Sequence, residues 1–104
     1  MLTTVEKAIT KRIIRSALNE GYLVGASADD SADCDPCQDI DKILAACFAY
    51  DCVDLSLAAT SEDMPGGWIA LNYFNDGLEI ITDYSVDLED FVDNLSFKQL
   101  VIDL

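Results

Sequence analysis

GWIALNYFNDGLEIITDY, residues 67–84, is the stretch of the sequence that decides the fold. Two runs rich in β-branched and aromatic residues, 67–74 and 78–84, flank an Asn-Asp-Gly triplet at 75–77. Asn, Asp and Gly tolerate the left-handed backbone that tight hairpin turns require, and the flanking residues favour strands. The stretch therefore predicts a β-hairpin, and with it an antiparallel sheet.

The first twenty residues predict an amphipathic helix. Thr3 and Glu6 have the spacing of a capping box, in which two side chains satisfy backbone N–H groups at a helix start. Apolar residues then recur every three or four positions, and Gly21 is a suitable residue to follow the helix. We expect this helix over residues 4–20. Its opposite face carries four basic residues, Lys7, Lys11, Arg12 and Arg15.

Shorter patterns predict the other elements. Small and β-branched residues indicate a strand over 22–28, and alternation of apolar with polar residues indicates another over 53–57. Asp39 is placed to cap a second helix that runs to about Tyr50, and Ser85 is placed to cap a third. Both of these helices carry an apolar stripe that requires a packing partner.

The aspartate-rich segment 29–38, which contains Pro36, predicts a solvated loop. The element order is then α-β-α-β-β-β-α. Consecutive strands joined by a tight hairpin imply an antiparallel sheet, and the helices must cover one of its faces. We predict a single α+β domain over residues 1–104, with an antiparallel sheet of three to four strands packed against helices.

Charge is the most unusual property of the chain. Its 104 residues include 20 acidic side chains, six basic ones and no histidine, so the formal net charge is −14, while 51% of the residues are hydrophobic. Residues 1–15 carry four basic side chains against one acidic, a net +3, and residues 16–104 carry two against nineteen, a net −17. The hydrophobic content predicts a folded domain, so this charge lies on its surface.

The composition disfavours several functions. An acidic surface repels phosphate, so direct binding to nucleic acid or to an anionic membrane is not expected. The absence of histidine removes the commonest general base and imidazole metal ligand. No apolar run is long enough to span a membrane, and the start, residues 1–6, does not resemble a secretion signal. We expect a cytoplasmic, non-enzymatic protein without a cofactor.

The sequence leaves the role of the aromatic residues open. Trp68, with Tyr73 and Tyr84, could form a contact surface on the hairpin. The alternative is that one set of alternating residues simply forms the core face of a central strand. That set is either Trp68, Ala70 and Phe74, or Ile69, Leu71 and Tyr73.

The cysteines also have several interpretations. The spacing Cys34-x-x-Cys37 serves redox disulfides and zinc sites, although the neighbouring aspartates would raise the thiol pKa rather than lower it. A four-thiolate zinc site would require Cys47 and Cys52 as well, and Cys47 lies on the predicted apolar stripe of the second helix. The aspartates of segment 29–41 lack the glycine and glutamate of a calcium loop. Ordinary cytosolic thiols are the remaining interpretation.

Four short segments carry a resemblance to a known family. They are Asn19-Glu20-Gly21-Tyr22, Gly67-Trp68-Ile69-Ala70-Leu71-Asn72-Tyr73, Asn75-Asp76-Gly77 and Ile80-Ile81-Thr82-Asp83-Tyr84-Ser85. Together they resemble a family of small acidic bacteriophage proteins, whose hairpin has the form GWxxLxY-xNDG-xxIxxDYS. The resemblance implies a phage or prophage origin. In that setting, small acidic proteins often act as nucleic-acid mimics that block restriction enzymes, CRISPR effectors or other host defence proteins.

The charge and the resemblance lead to one hypothesis and two alternatives. The hypothesis is a non-enzymatic inhibitor whose carboxylates occupy the basic nucleic-acid-binding groove of a host protein. The expected binding residues are Asp83, Asp87, Glu89, Asp90 and Asp93 on one face and Asp29, Asp30, Asp33 and Asp35 on a second. The first alternative is a structural module that forms a homodimer through the hairpin. The second is a small zinc-binding domain built on Cys34, Cys37, Cys47 and Cys52.

Overall fold

The computed structural model describes residues 4–28, 31–50, 52–73 and 80–95, and for residues 4, 5 and 31–33 it describes the backbone. The elements, in chain order, are α1 (Thr4–Asn19), β1 (Leu23–Ala28), β2 (Ser31–Cys37), α2 (Ile40–Cys47), β3 (Cys52–Ala58), β4 (Gly67–Asn72), β5 (Ile81–Tyr84), a 3-10 turn (Val86–Leu88) and α3 (Glu89–Asp93). The strands form one antiparallel sheet in the order β2-β1-β3-β4-β5. The α+β class is confirmed, with five strands in place of the predicted three to four.

The predicted hairpin is present as the pair β4 and β5. Ile69 lies opposite Tyr84, Ala70 opposite Asp83 and Leu71 opposite Ile81, with a register shift after Ala70. At the end of β4, the backbone N–H of Asn72 donates to the carbonyl of Ile80, just before β5, over 2.8 Å. The predicted turn at 75–77 lies outside the described residues.

Segment 29–38 is the main correction to the sequence prediction. Residues 31–37 form the edge strand β2 rather than a solvated loop. Aspartate and proline are disfavoured in central strands, but an edge strand faces water on one side and does not need every backbone N–H group. Strand β1 ends only two residues before segment 31–37 and has a free edge with which this segment can pair, so β2 forms despite its composition.

The caps of the two shorter helices differ in their outcome. Asp39 caps α2 as predicted, since its side chain accepts a bond from the backbone N–H of Lys42 over 3.3 Å. Helix α2 ends at Cys47, earlier than the predicted Tyr50, because the chain turns into β3. Ser85 precedes a 3-10 turn and makes no side-chain capping bond there. Its Oγ accepts the backbone N–H of Trp68 instead, over 3.1 Å.

The core lies between one face of the sheet and the helices. Alternate residues of the strands are buried on this face, and α1 and α2 pack against β1 and against each other. The buried strand side chains are Val24, Ala26, Ala28, Cys34, Val53, Leu55, Leu57, Ile69 and Leu71. Tyr73 is buried just after β4, so the set of Ile69, Leu71 and Tyr73 forms the core face and Trp68 does not.

The α1 helix is joined to the sheet by a polar contact inside this core. The Oγ1 of Thr10 donates to the carbonyl of Glu6 over 2.8 Å and lies 2.9 Å from the hydroxyl of Tyr73. Burial raises the pKa of Tyr73 above its usual value, so the hydroxyl stays protonated and can donate. The contact ties α1, which packs against β1, to the segment just after β4.

Candidate functional site

Five exposed carboxylates follow one another along the chain from β5, an edge strand of the sheet, to the end of α3. We call this set the acidic ridge; its residues are Asp83, Asp87, Glu89, Asp90 and Asp93. Asp87, Asp90 and Asp93 follow one another at intervals of three residues, which in helical backbone separates Cβ atoms by about 5–6 Å. That separation is comparable with the spacing of successive phosphates along a nucleic-acid strand. The ridge is therefore a row of negative charges held by secondary structure.

The position of the ridge is fixed by a close contact between β4 and the 3-10 turn. Ser85 is bonded twice to Trp68: its N–H donates to the Trp68 carbonyl over 3.0 Å, and its Oγ accepts from the Trp68 N–H. A Cβ on Gly67 would overlap the Ser85 Oγ and come within 3.1 Å of Leu88. Glycine at position 67 thus allows the turn to lie against the strand.

Large apolar side chains are exposed next to the ridge. Trp68 is 43% exposed and Val86 is 78% exposed. Trp68 belongs to the face of the sheet opposite the helices, where Asp54 and Ala70 lie in register with Asp83. This outer face provides small residues, two carboxylates and one exposed indole ring. Tryptophan is enriched at the centre of protein interfaces, and charged side chains are common at their solvent-accessible rim.

Basic side chains are separated from the ridge along the sequence. Residues 43–97 contain eleven acidic side chains and no lysine or arginine. In the described part of the chain, no ridge carboxylate forms an ion pair with a basic side chain. Four of the six basic residues lie on the exposed face of α1, where Lys11, Arg12 and Arg15 line a shallow depression. The ridge carboxylates are therefore available to a cationic partner.

The second predicted acidic patch is only partly described. Asp35 is exposed in β2, whereas Asp29, Asp30 and the side chain of Asp33 lie outside the described residues. Asp39, close to this patch, is engaged in capping α2. The described residues therefore support the ridge more strongly than the patch at 29–35.

The four cysteines do not converge on one point. Cys34 and Cys47 are buried in the core, whereas Cys52 is exposed, since it alternates with the buried Val53 along β3. The described side chains include no group of three or more potential metal ligands. The four-thiolate arrangement of the zinc alternative is not formed.

Two of the cysteines are nevertheless in contact. The Sγ atoms of Cys34 and Cys37 lie 3.9 Å apart. Burial raises the pKa of the Cys34 thiol, and the hydrogen bond with Cys37 raises it further. Burial also raises the pKa of Cys47, to about 12. Burial thus disfavours the reactive thiolate of Cys47, whereas the Cys37 sulfur is accessible from solvent.

Among the described residues, no helix has the length and apolar character needed to cross a membrane. No protein-family model, curated protein or solved structure matches the chain. The geometry of the chain itself is therefore what indicates its function.

Sequence reasoning missed three features of the site. It did not decide whether Trp68 is buried or exposed, although the hydrophobic Ile69 and Leu71, which alternate with it along the strand, indicated that Trp68 faces solvent. It placed Gly67 at the start of the predicted strand 67–74 without a reason for glycine at that position. It also missed the contact between Cys34 and Cys37, which depends on a strand that the composition argued against.

Proposed function

We propose that the protein is a non-enzymatic binding protein whose acidic ridge occupies the basic nucleic-acid-binding groove of another protein. The single observation that carries the proposal is the exposure of all five ridge carboxylates within a stretch of the chain, residues 43–97, that has no basic side chain. A target that binds phosphates presents Lys and Arg side chains, which the ridge can bind in place of phosphate groups.

The exposed Trp68 gives this proposal a source of specificity. Charges steer association and make it sensitive to salt, but the free energy of an interface is concentrated in a few buried aromatic or arginine contacts. Trp68 is held beside the ridge by its two backbone bonds to Ser85. We propose that the ridge aligns the target and that the indole ring packs against it. This chain resembles small acidic phage proteins, and we therefore propose that its target is a host defence protein, such as a restriction or CRISPR nuclease.

The test is capture of the target on immobilised protein. Bacterial lysate is applied at about 0.1 M salt and eluted at about 1 M, where the Debye length falls from about 10 Å to 3 Å. We expect one nucleic-acid-binding protein to be retained and to be displaced by added duplex DNA or RNA. Retention of a diffuse set of basic proteins, with no displacement by nucleic acid, would contradict the proposal.

Two triple variants locate the binding surface. Asp87→Lys, Asp90→Lys and Asp93→Lys reverse three charges on the ridge. Their matched control reverses three exposed charges elsewhere, at Glu20, Glu62 and Asp63, with the same change in net charge. We expect the ridge variant to lose the target and the control to retain it. Equal loss in both variants would mean that only net charge matters.

The separation of charge favours a second candidate function. The basic face of α1 and the acidic ridge are complementary, so one copy could bind another head to tail, with the outer face of the sheet in the contact. The protein would then be an assembly module. Sedimentation at about 0.05 M and 0.5 M salt tests this candidate, which requires an oligomer that dissociates at high salt and in the Arg12→Glu variant.

A further inference from the structure

The edge strand β2 contains an irregularity that brings two thiols together. In its pairing with β1, Cys37 lies opposite Val24 and Cys34 lies opposite Ala26. Three steps along β2 thus match two steps along β1, so this stretch of β2 carries one extra residue, as a β-bulge does. The bulge falls at Asp35 and Pro36, opposite Gly25. A second register shift lies between Ala26 and Ser27, outside the stretch that holds the two cysteines.

This bulge determines the side of the sheet to which each cysteine points. Residues three positions apart in a regular strand point to opposite faces, because side chains alternate. One extra residue restores the parity, so Cys34 and Cys37 both face the side of Val24 and Ala26, which is the core side. The Sγ atoms consequently approach to 3.9 Å.

Gly25 makes room for the bulge. A Cβ at this position would lie 2.9 Å from the Cys34 carbonyl oxygen and 3.0 Å from both the N and the Cδ of Pro36. Two of these neighbours are backbone atoms and the third belongs to a ring, so none can rotate away. The bulge at Asp35 and Pro36 thus needs glycine at position 25, and it places the thiols of Cys34 and Cys37 next to each other.

We infer that Cys34 and Cys37 form a reversible disulfide by exchange with a small-molecule disulfide such as oxidised glutathione. Disulfide formation requires the Sγ atoms to move from 3.9 Å to about 2 Å, which is within the range of a side-chain rotation. The inference is independent of the acidic ridge, which lies at the other end of the strand order.

The exchange balances as two thiol–disulfide steps. The half-exposed Cys37 loses its proton and attacks one sulfur of the small disulfide, forming a mixed disulfide and releasing one thiolate. The sulfur of Cys34, on losing its proton, then attacks the Cys37 sulfur and releases the second thiolate. Overall, two protein thiols are oxidised to one disulfide, and one small disulfide is reduced to two thiols that take up the protons.

The relative burial of the cysteines assigns these roles. Cys34 is 4% exposed and cannot meet an external disulfide directly, whereas Cys37 is partly exposed at the sheet edge. Burial also raises the pKa of the Cys34 thiol, so Cys34 is the poorer first nucleophile of the two, and its sulfur already lies 3.9 Å from the Cys37 sulfur that it attacks in the second step. Cys47 interacts electrostatically with Cys34, but it is buried and its pKa is raised to about 12, and Cys52 is exposed on the other face of the sheet. The pair at 34 and 37 is therefore expected to close without them.

Peptide mass spectrometry can test the inference, since the sequence isolates the pair. Cleavage after Arg15 and Lys42 gives a peptide over 16–42 that contains Cys34 and Cys37, whereas Cys47 and Cys52 fall in residues 43–98. The folded full chain is incubated with oxidised glutathione, alkylated with N-ethylmaleimide and digested. We expect peptide 16–42 to lose two hydrogens and both alkylation sites, and to recover them after reduction with dithiothreitol.

Three variants make the experiment decisive. Cys37→Ser abolishes the closed peptide, and Cys52→Ser, the matched control with an exposed thiol removed, leaves it unchanged. Gly25→Ala displaces the bulge and slows closure about tenfold while both thiols remain. Circular dichroism checks that each variant is folded. A persistent glutathione adduct on peptide 16–42, or two free thiols there after prolonged incubation, would overturn the inference.

Discussion

Gly21 follows α1 with a φ of 98°, a backbone conformation that side chains with a Cβ rarely adopt. Space is not the obstacle, since a Cβ there would meet Thr60 and Met64 only at ordinary contact distances of 3.7 Å. We therefore expect Gly21→Ala to lower the free energy of unfolding by about 1 kcal/mol through backbone strain alone. Urea denaturation measures the change. Gly21→Asn is the control, because asparagine tolerates this conformation better, and an equal loss in both variants would contradict the assignment to strain.

The buried thiol of Cys47 predicts a loss of stability at alkaline pH. Burial raises its pKa in the folded protein from 9.0 to about 12. Because the folded-state pKa is the higher one, the contribution to stability is fully present below pH 9 and is lost as the pH rises from about 9 towards 12. Tyr73, whose pKa burial also raises, acts in the same direction above about pH 10.

We expect the free energy of unfolding of the wild type to fall between pH 9 and 11. In Cys47→Ala this fall should be less steep, and the two slopes should differ by up to about 1.4 kcal/mol per pH unit. Urea denaturation at several pH values gives both slopes. Cys52→Ala removes an exposed thiol and serves as the control with the wild-type slope. A Cys47→Ala slope equal to that of the wild type would contradict the prediction.

Between elements, the bond from Thr10 on α1 to Tyr73 after β4 is the polar contact that fixes the helix on the sheet. Thr10→Val preserves the shape of the side chain but leaves the buried Tyr73 hydroxyl without this acceptor, so we expect a loss of about 1–3 kcal/mol. Adding Tyr73→Phe to the same chain removes the unpaired hydroxyl and should recover part of the lost stability. A double-mutant cycle by denaturation measures the coupling, and additive losses would show that the contact contributes nothing.

The elements differ in how far the sequence predicts them. The helix α1 and the strands β3, β4 and β5 have strong periodicity or turn residues, so local pattern and final structure agree. The strand β2 has neither, and its Asp and Pro residues are typical of loops. It forms because it pairs with β1, and a local sequence pattern carries no information about that pairing. The same limit applies to the candidate site. The charges of the ridge are visible in the sequence, but the exposure of Trp68 and the adjacent thiols depend on register.

At the scale of the whole molecule, the acidic surface has a cost in stability that a binding function would explain. A formal net charge of −14 exceeds what solubility requires in a small domain, and like charges repel one another in the compact state. The ridge adds a local penalty, since Asp93 lies at the C-terminal end of α3, where the helix dipole disfavours negative charge. Neutralising carboxylates that weaken the fold but bind a cationic partner should therefore raise stability and weaken binding.

We expect Asp83→Asn with Asp93→Asn to raise the free energy of unfolding at low salt by about 0.5 kcal/mol and to weaken retention of the captured target, because Asp83 lies outside the helix and Asp93 at its unfavourable end. Adding sodium chloride, from about 0.02 to 0.5 M, should stabilise the wild type more than this variant, because screening removes the same repulsion. Lys11→Gln with Arg15→Gln changes the net charge by the same amount in the opposite direction and should be destabilising. Thermal denaturation at both salt concentrations measures all three proteins. If neutralising the ridge leaves both stability and target retention unchanged, the acidity serves neither effect and the ridge is not the binding surface.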